Sequence, residues 1–448
     1  MRTLALVLWG LLSVSNVDAA TINAASCSQS AVTTAIASAV RNVDTVAVPP
    51  GTCAWSGLTV TKGITLRGAG VASTFITTTD NALNYLPDST ARSNDEKLEI
   101  SGFSMTSSFS PTAGSGIIHM DNTDPAKVVS FAPIRNIIIH DMAFHSVHCA
   151  SPCAKQIFFE GNIYGVIYHN TFDGNYFISM HNGLGYADWL AYPSAPGTYK
   201  AMYIEDNTFT PNPFPYTEAG QGTSFYVQRY NTWNMSSLDV GDMADCHGEQ
   251  GEGGCQGMES YGNSILGGTF NDQLATFRGG QGLFFFNKAD NQYNLQYQEN
   301  HQCGPEQIMN TYDWNNYYGS TLMLGSETAD VGNCLSRNVS YWSQNVSYNG
   351  TSQIGVFVGS SLPGSCTIGD GAWITAQTTG SSMTGMVGRD PSTPINGTLY
   401  RCGAGNNWTA YYTPYTYPHP LRTGGTPPDT TPPAPPTNIR IATRSNGE

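Results

Sequence analysis

Four short runs along this chain share one pattern, and few folds accept it. Ile137-Ile138-Ile139-His140-Asp141-Met142-Ala143-Phe144 is the first, and Gly165-Val166-Ile167-Tyr168-His169-Asn170-Thr171-Phe172 the second. Met202-Tyr203-Ile204-Glu205-Asp206-Asn207-Thr208-Phe209 and Met258-Glu259-Ser260-Tyr261-Gly262-Asn263-Ser264-Ile265 follow. Each alternates, closes on a polar turn that usually contains Asn, and resumes with an apolar residue. Alternation at period two marks strands, yet strands this short are not stable as isolated hairpins. Repeats of this kind bury a continuous core only when stacked. Their uneven spacing requires inserted loops, the usual place for binding residues in repeat folds.

The N-terminal region prepares such a stack. Gln29 to Val40 has apolar residues at helical spacing without Pro or Gly. From Asp44 to Gly70 come three very short strands, around Val46-Val48, Leu58-Val60 and Ile64-Leu66, separated by Pro49-Pro50-Gly51 and Lys62-Gly63. A short helix, then "DTVAVPPGTC", a strand and "KGITLRGAG", resembles the N-terminal cap and first coil of secreted proteins of the pectate-lyase-like superfamily. The later repeats extend the likeness over most of residues 25 to 422. The resemblance implies an all-β right-handed parallel β-helix, a solenoid with a short N-terminal capping helix and inserted loops. It also implies that the turn Asn residues hydrogen-bond from coil to coil, with the next Phe or Ile in the core. The motifs mark a fold and no particular activity.

The ends set the context. Arg2, the apolar stretch Leu4 to Leu12 and the small-residue site Val17-Asp18-Ala19 read as a secretory signal over 1-19, too short to span a bilayer. Residues 20-424 are expected to form the β-helix domain. Residues 425-448 form a Pro-rich tail resembling the linker before a fibronectin-type-III module. "TYDWNNYYGSTLML" reads as a last coil and "YTPYTYPHPLR" as a closing segment. Ten cysteines suit an oxidising compartment, extracellular or periplasmic; neighbours in sequence make five local pairs, although sequence alone leaves connectivity open. A net charge of −14 with 19 Lys and Arg argues against nucleic acid and anionic membranes as partners. A polysaccharide is the expected partner, and the protein is expected to be a monomer.

The densest chemistry lies between Asp239 and Asn291. Asp239, Asp242 and Asp245, with Glu249 and Glu252, form an acidic run able to supply oxygen ligands to Ca²⁺, or to be a solvated loop closed by Cys246 and Cys255. In pectate lyases Ca²⁺ bridges enzyme acids and the sugar carboxylate. β-Elimination needs a base beside the uronate C5 proton and a cation for its carboxylate. His247 is the candidate base. Arg278 and Arg229 are the candidate carboxylate partners, and Tyr230 offers a phenol. Glu259, one coil before Arg278, is expected to share a face with it. Trp189 and Tyr192, in the insert Leu184 to Lys200, are candidate sugar-binding residues or coil-edge caps. The rival enzyme class is an inverting, polygalacturonase-like hydrolase with Asp242 and Asp245 as its acids. Gly241-Asp242 and Cys246-His247-Gly248 are present, but adjacent Asp-Asp and Arg-Ile-Lys are not. The expectation is a secreted polysaccharide-binding lyase; the non-enzymatic alternative is an adhesive β-helix rod.

Overall fold

The computed structural model describes residues 18–107, 116–124, 129–130, 132–146, 155–181, 196–211, 216–220, 225–235, 242–246, 255–268, 273–299, 307–348 and 354–425. The chain winds through three long sheets in turn, making a parallel β-helix. Sheet one has twelve strands, from Thr21–Asn23 to Tyr341–Ser343; sheet two has eleven and sheet three ten. Successive coils pair in parallel throughout, apart from an antiparallel return of Thr321–Met323 onto Asn316–Tyr318 in sheet two. The N-terminal helix, Gln29–Ser38, is capped by Ser28, whose hydroxyl accepts from Ala31 N–H. It turns Val32, Ala35 and Ile36 inward over the open end of the core.

The turn from sheet one to sheet two repeats from coil to coil. Asp141, His169, Asp206, Tyr230 and Phe286 occupy its first position with φ between 50° and 57°. This left-handed conformation is costly for a bulky side chain. A buried Asn follows in each but the first, where Met142 stands and its N–H donates to Asn170 at 3.0 Å; the ladder of Asn170, Asn207, Asn231, Asn263, Asn287 and Asn316 pins the turns. Each side-chain amide donates to the next Asn Oδ1 at 2.9–3.1 Å. The next Asn Oδ1 also accepts a backbone N–H, as in Asn207 N–H to Asn231 at 2.9 Å. These bonds satisfy main-chain groups that would otherwise be buried without partners. Inside, Phe144, Phe172, Phe209 and Trp233 stack in file at centroid spacings of 5.1, 4.8 and 4.2 Å. The sequence pattern of Asn followed by an apolar residue is thus a ladder beside a column. Gly165, inside the strand Ile163–Tyr168, has φ 154°, and a Cβ there would fall 2.0 Å from the Ile137 carbonyl oxygen.

The coils end at Tyr341–Ser343. The chain then forms a separate four-stranded sheet, Val356–Gly359, Gly371–Ile374, Thr398–Gly403 and Asn407–Tyr412, before a closing turn at Pro420–Thr423. This C-terminal region lies over the outer face of sheet one and makes a second apolar core there, with Tyr203, Val227, Tyr261, Phe285 and Trp314 packed against Trp373, Tyr412 and Tyr415. Cys27–Cys53, Cys246–Cys255 and Cys366–Cys402 are disulfides, three of the five neighbour pairs. No described helix is long and apolar enough to cross a membrane.

Candidate functional site

On sheet three, alternation sends Ile157, Ile178, Ala219, Cys246 and Phe277 into the core and their neighbours outward. Register aligns one outward row: His119, Phe158, Ser179, Glu218, Asp245 and Thr276 on six consecutive coils. A second row runs Asp121, Glu160, His181 and Gly220. Neighbouring coils lie ~4.8 Å apart, so these side chains touch in series. His119 Nε2 is 2.7 Å from Glu160 Oε2. Ser179 Oγ donates to Glu218 Oε1 at 2.6 Å, and His181 Nε2 lies 3.4 Å from the same oxygen. Arg278, just beyond the strand Gln273–Phe277, grips Asp245 in two-point fashion through Nε, at 3.3 Å, and Nη2.

The acids form the floor and the other groups the rim. The Asp245 and Glu218 side chains are 0% and 8% exposed, against 18% for Arg278 and 23% for His181. Burial disfavours charge on the Arg278 guanidinium, but Asp245 outweighs it and holds the pKa above its ordinary value. At the edge where the chain enters sheet three, Tyr176 and Tyr216 stack at 4.7 Å and 16°. Burial first, then Asp242 and Asp245, pushes the Tyr216 phenol up to about 12, so it is a proton donor at neutral pH. The connections flanking this sheet are the long ones: His181 to Met202, Met235 to Asp245, Cys246 to Gly257 and Glu299 to Thr311. Turns between sheets one and two stay tight, as between Tyr168 and Thr171 or Arg229 and Thr232.

The residues singled out in the sequence divide among three places. Asp242, Asp245 and Arg278 belong to sheet three. Arg229, Tyr230 and Glu259 do not. Arg229 is fully buried on sheet one, bonded to Glu205 at 2.8 Å, to the Tyr261 hydroxyl at 2.9 Å, and to the carbonyls of Tyr415 and Thr416 at 2.7 and 2.9 Å. Tyr230 occupies the sheet-one turn, and its buried hydroxyl accepts from Ile395 N–H. Glu259 lies beneath the C-terminal sheet, accepting from Gly197 N–H at 2.7 Å and Tyr412 hydroxyl at 2.6 Å. Burial pushes its pKa up to about 7, against the lowering pull of those two bonds and Arg229. Two expectations are therefore corrected. Glu259 and Arg278 do not stack on one face, because they leave different sheets, and Arg229 and Arg278 are separated for the same reason. His247, Asp239, Trp189 and Tyr192 lie outside the described residues.

Of the three acids expected to bind Ca²⁺, Asp242 and Asp245 are described. Asp245 is already neutralised by Arg278, and Asp242 accepts from the Thr276 hydroxyl. The described group with ligand-like spacing is His169, Asp206 and Asp390, and there Arg422 supplies the positive charge, pairing with Asp206 and approaching His169 Nε2 at 3.1 Å. Glu218, Ser179, His181, Tyr176 and Tyr216 were not singled out by sequence. Counting residues from each Asn turn to the following sheet-three strand is the signal that finds them, where no insertion intervenes.

No protein-family model, curated protein or solved structure matches the chain.

Proposed function

We propose that the chain is an exported polysaccharide-processing protein, pectate-lyase-like in reaction, whose working surface is the outer face of sheet three. The observation that carries this reading is the Asp245–Arg278 pair on the outer face of sheet three, with Glu218, His181 and Tyr216 beside it. Burying charges costs several kcal/mol per ion, and a fold of this size has no need of them on that sheet for its core. For β-elimination, Arg278 faces the uronate carboxylate and His181, backed by Glu218, takes the C5 proton. The protonated Tyr216 phenol returns a proton to the leaving glycosidic oxygen. The C5–H bond breaks, the C4–O bond breaks, and a C4–C5 double bond forms. His247, next in sequence to Cys246, is a further candidate for the base.

A second reading has its own support. Glu218 and Asp245 are direct neighbours in register, and acids outnumber Lys and Arg on this face, which suits hydrolysis of a neutral polymer by two carboxylates.

Purified protein incubated with uronate-containing and neutral polysaccharides separates these readings. Reducing ends that appear together with the absorbance of an unsaturated product support elimination. Reducing ends alone support the carboxylate pair. Neither, across a broad panel with folding confirmed, rejects both and favours an adhesive rod.

A further inference from the structure

We infer that Tyr176 and Tyr216 form an aromatic platform that binds the C–H face of a pyranose ring, holding a polysaccharide against the sheet-three face. The inference rests on the site proposed above and assigns it a sugar-binding wall. The core file of Phe172, Phe209 and Trp233 is structural and sealed, with each ring at most 1% exposed. Tyr176 and Tyr216 keep the same coil-to-coil stacking but are only half-buried, at the entry edge of sheet three. Their backbones are fixed, since Gln156 N–H donates to the Tyr176 carbonyl and Phe177 N–H to that of Tyr216, both at 2.9 Å. Tyr176 holds φ at 47°, close to the values at the sheet-one turns.

The surroundings fit a sugar better than a purely apolar ligand. Burial raises both phenols, helped by Glu218 and Asp245 at Tyr176 and by Asp242, Asp245 and Glu218 at Tyr216, so the rings stay neutral with a polar tip. A ring face beside hydrogen-bonding acids and an Arg matches a pyranose, which offers C–H bonds on its face and hydroxyls on its rim. Aromatic residues supply such amphipathic contact area at low entropic cost.

The test is binding without turnover, measured by calorimetry on the full chain at low temperature. The probes are xylohexaose, mannohexaose and hexagalacturonate, and thermal melts check each variant. Tyr216→Ala and Tyr176→Ala are each expected to weaken the best probe by about tenfold, the equivalent of one aromatic contact. Tyr216→Phe and Tyr176→Phe, which keep the ring and the fold, are expected to stay within about twofold of the parent. Alanine variants that fold and bind as tightly as the parent overturn the platform while leaving the catalytic proposal standing. Phenylalanine variants that lose as much as alanine also overturn it, since the hydroxyl and not the ring would then be responsible. A parent protein that binds none of the probes sinks the platform together with the site.

Discussion

Sheets one and three both bury an arginine among carboxylates, yet the surroundings of the two arginines differ throughout. On sheet one, Arg229 is enclosed by Glu205, Tyr261 and two carbonyls from the C-terminal segment, with Tyr203 and Tyr417 against its plane at 4.6 and 5.4 Å. Burial pushes the Glu205 carboxyl up, but Arg229, His419 and Arg422 outweigh it and hold it below its ordinary value. This cluster bolts residues 415–422 to the coils. On sheet three, Arg278 and His181 keep part of their surface, and among the described residues no C-terminal segment joins them in the second core. An arginine among acids therefore does not mark a site in a β-helix. The same chemistry is a fastener where a later segment covers it and a candidate site where the rim stays open.

The largest expected effect tests the fastener. Arg229→Ala leaves Glu205 buried without its main partner, and a loss of about 3–5 kcal/mol in unfolding free energy is expected. A loss below about 1 kcal/mol would mean the cluster does not hold the C-terminal region. The next concerns the ladder shared by all the coils. Asn231→Ala strands the Asn207 N–H and the Ile204 carbonyl, and urea titration is expected to show a loss of about 1–3 kcal/mol.

The acidity of Glu259 sharpens the contrast further. Its folded pKa of about 7 lies above the ordinary 4.5. The folded state therefore holds the proton more tightly, so the associated stability is complete below about pH 4.5 and is lost as pH rises through about 7. Glu259→Gln, which mimics the protonated form, is expected to gain in Tm relative to the parent between pH 5 and 8 and to level off above. His419 works in the opposite sense: burial pushes it down to about 3, so its contribution is complete above about pH 6.5 and is lost as pH falls towards 3. A flat difference between parent and Glu259→Gln across this range would contradict the assigned burial. The smallest effect on stability is expected at the rim of sheet three. His181→Ala should change the unfolding free energy by less than about 1 kcal/mol while lowering turnover by about two orders of magnitude, the usual value of a general base.

The coil was legible in the sequence and the site mostly was not. Asn170, Asn207 and Asn263, each followed by Phe or Ile two residues later, revealed the turn because its chemistry is local: a left-handed residue, an amide to pin it, and an apolar return. Gln29 to Val40 announced the cap for the same reason, and the helix occupies Gln29–Ser38. Arg229 and Glu259 misled because their partners, Tyr415, Thr416 and Tyr412, lie more than 150 residues downstream, and no spacing rule encodes a segment folding back over its own coils. Asp245 and Arg278 were singled out, but their pairing depends on strand register across an insertion. Glu218 and His181 carry no motif of their own and are found only by counting on from the turns at Asn207 and Asn170.

The most direct measurement compares product formation by two variants of matched burial. Asp245→Asn/Arg278→Gln removes both charges of the sheet-three pair and leaves two neutral amides; Glu259→Gln likewise replaces the carboxyl beneath the C-terminal sheet with an amide. Loss of reducing-end production by at least about a hundredfold in the first variant, with parent-like melting, and full activity in the second is the predicted result. Full activity in the first, or its loss in the second alone, would contradict the assignment of sheet three as the working face.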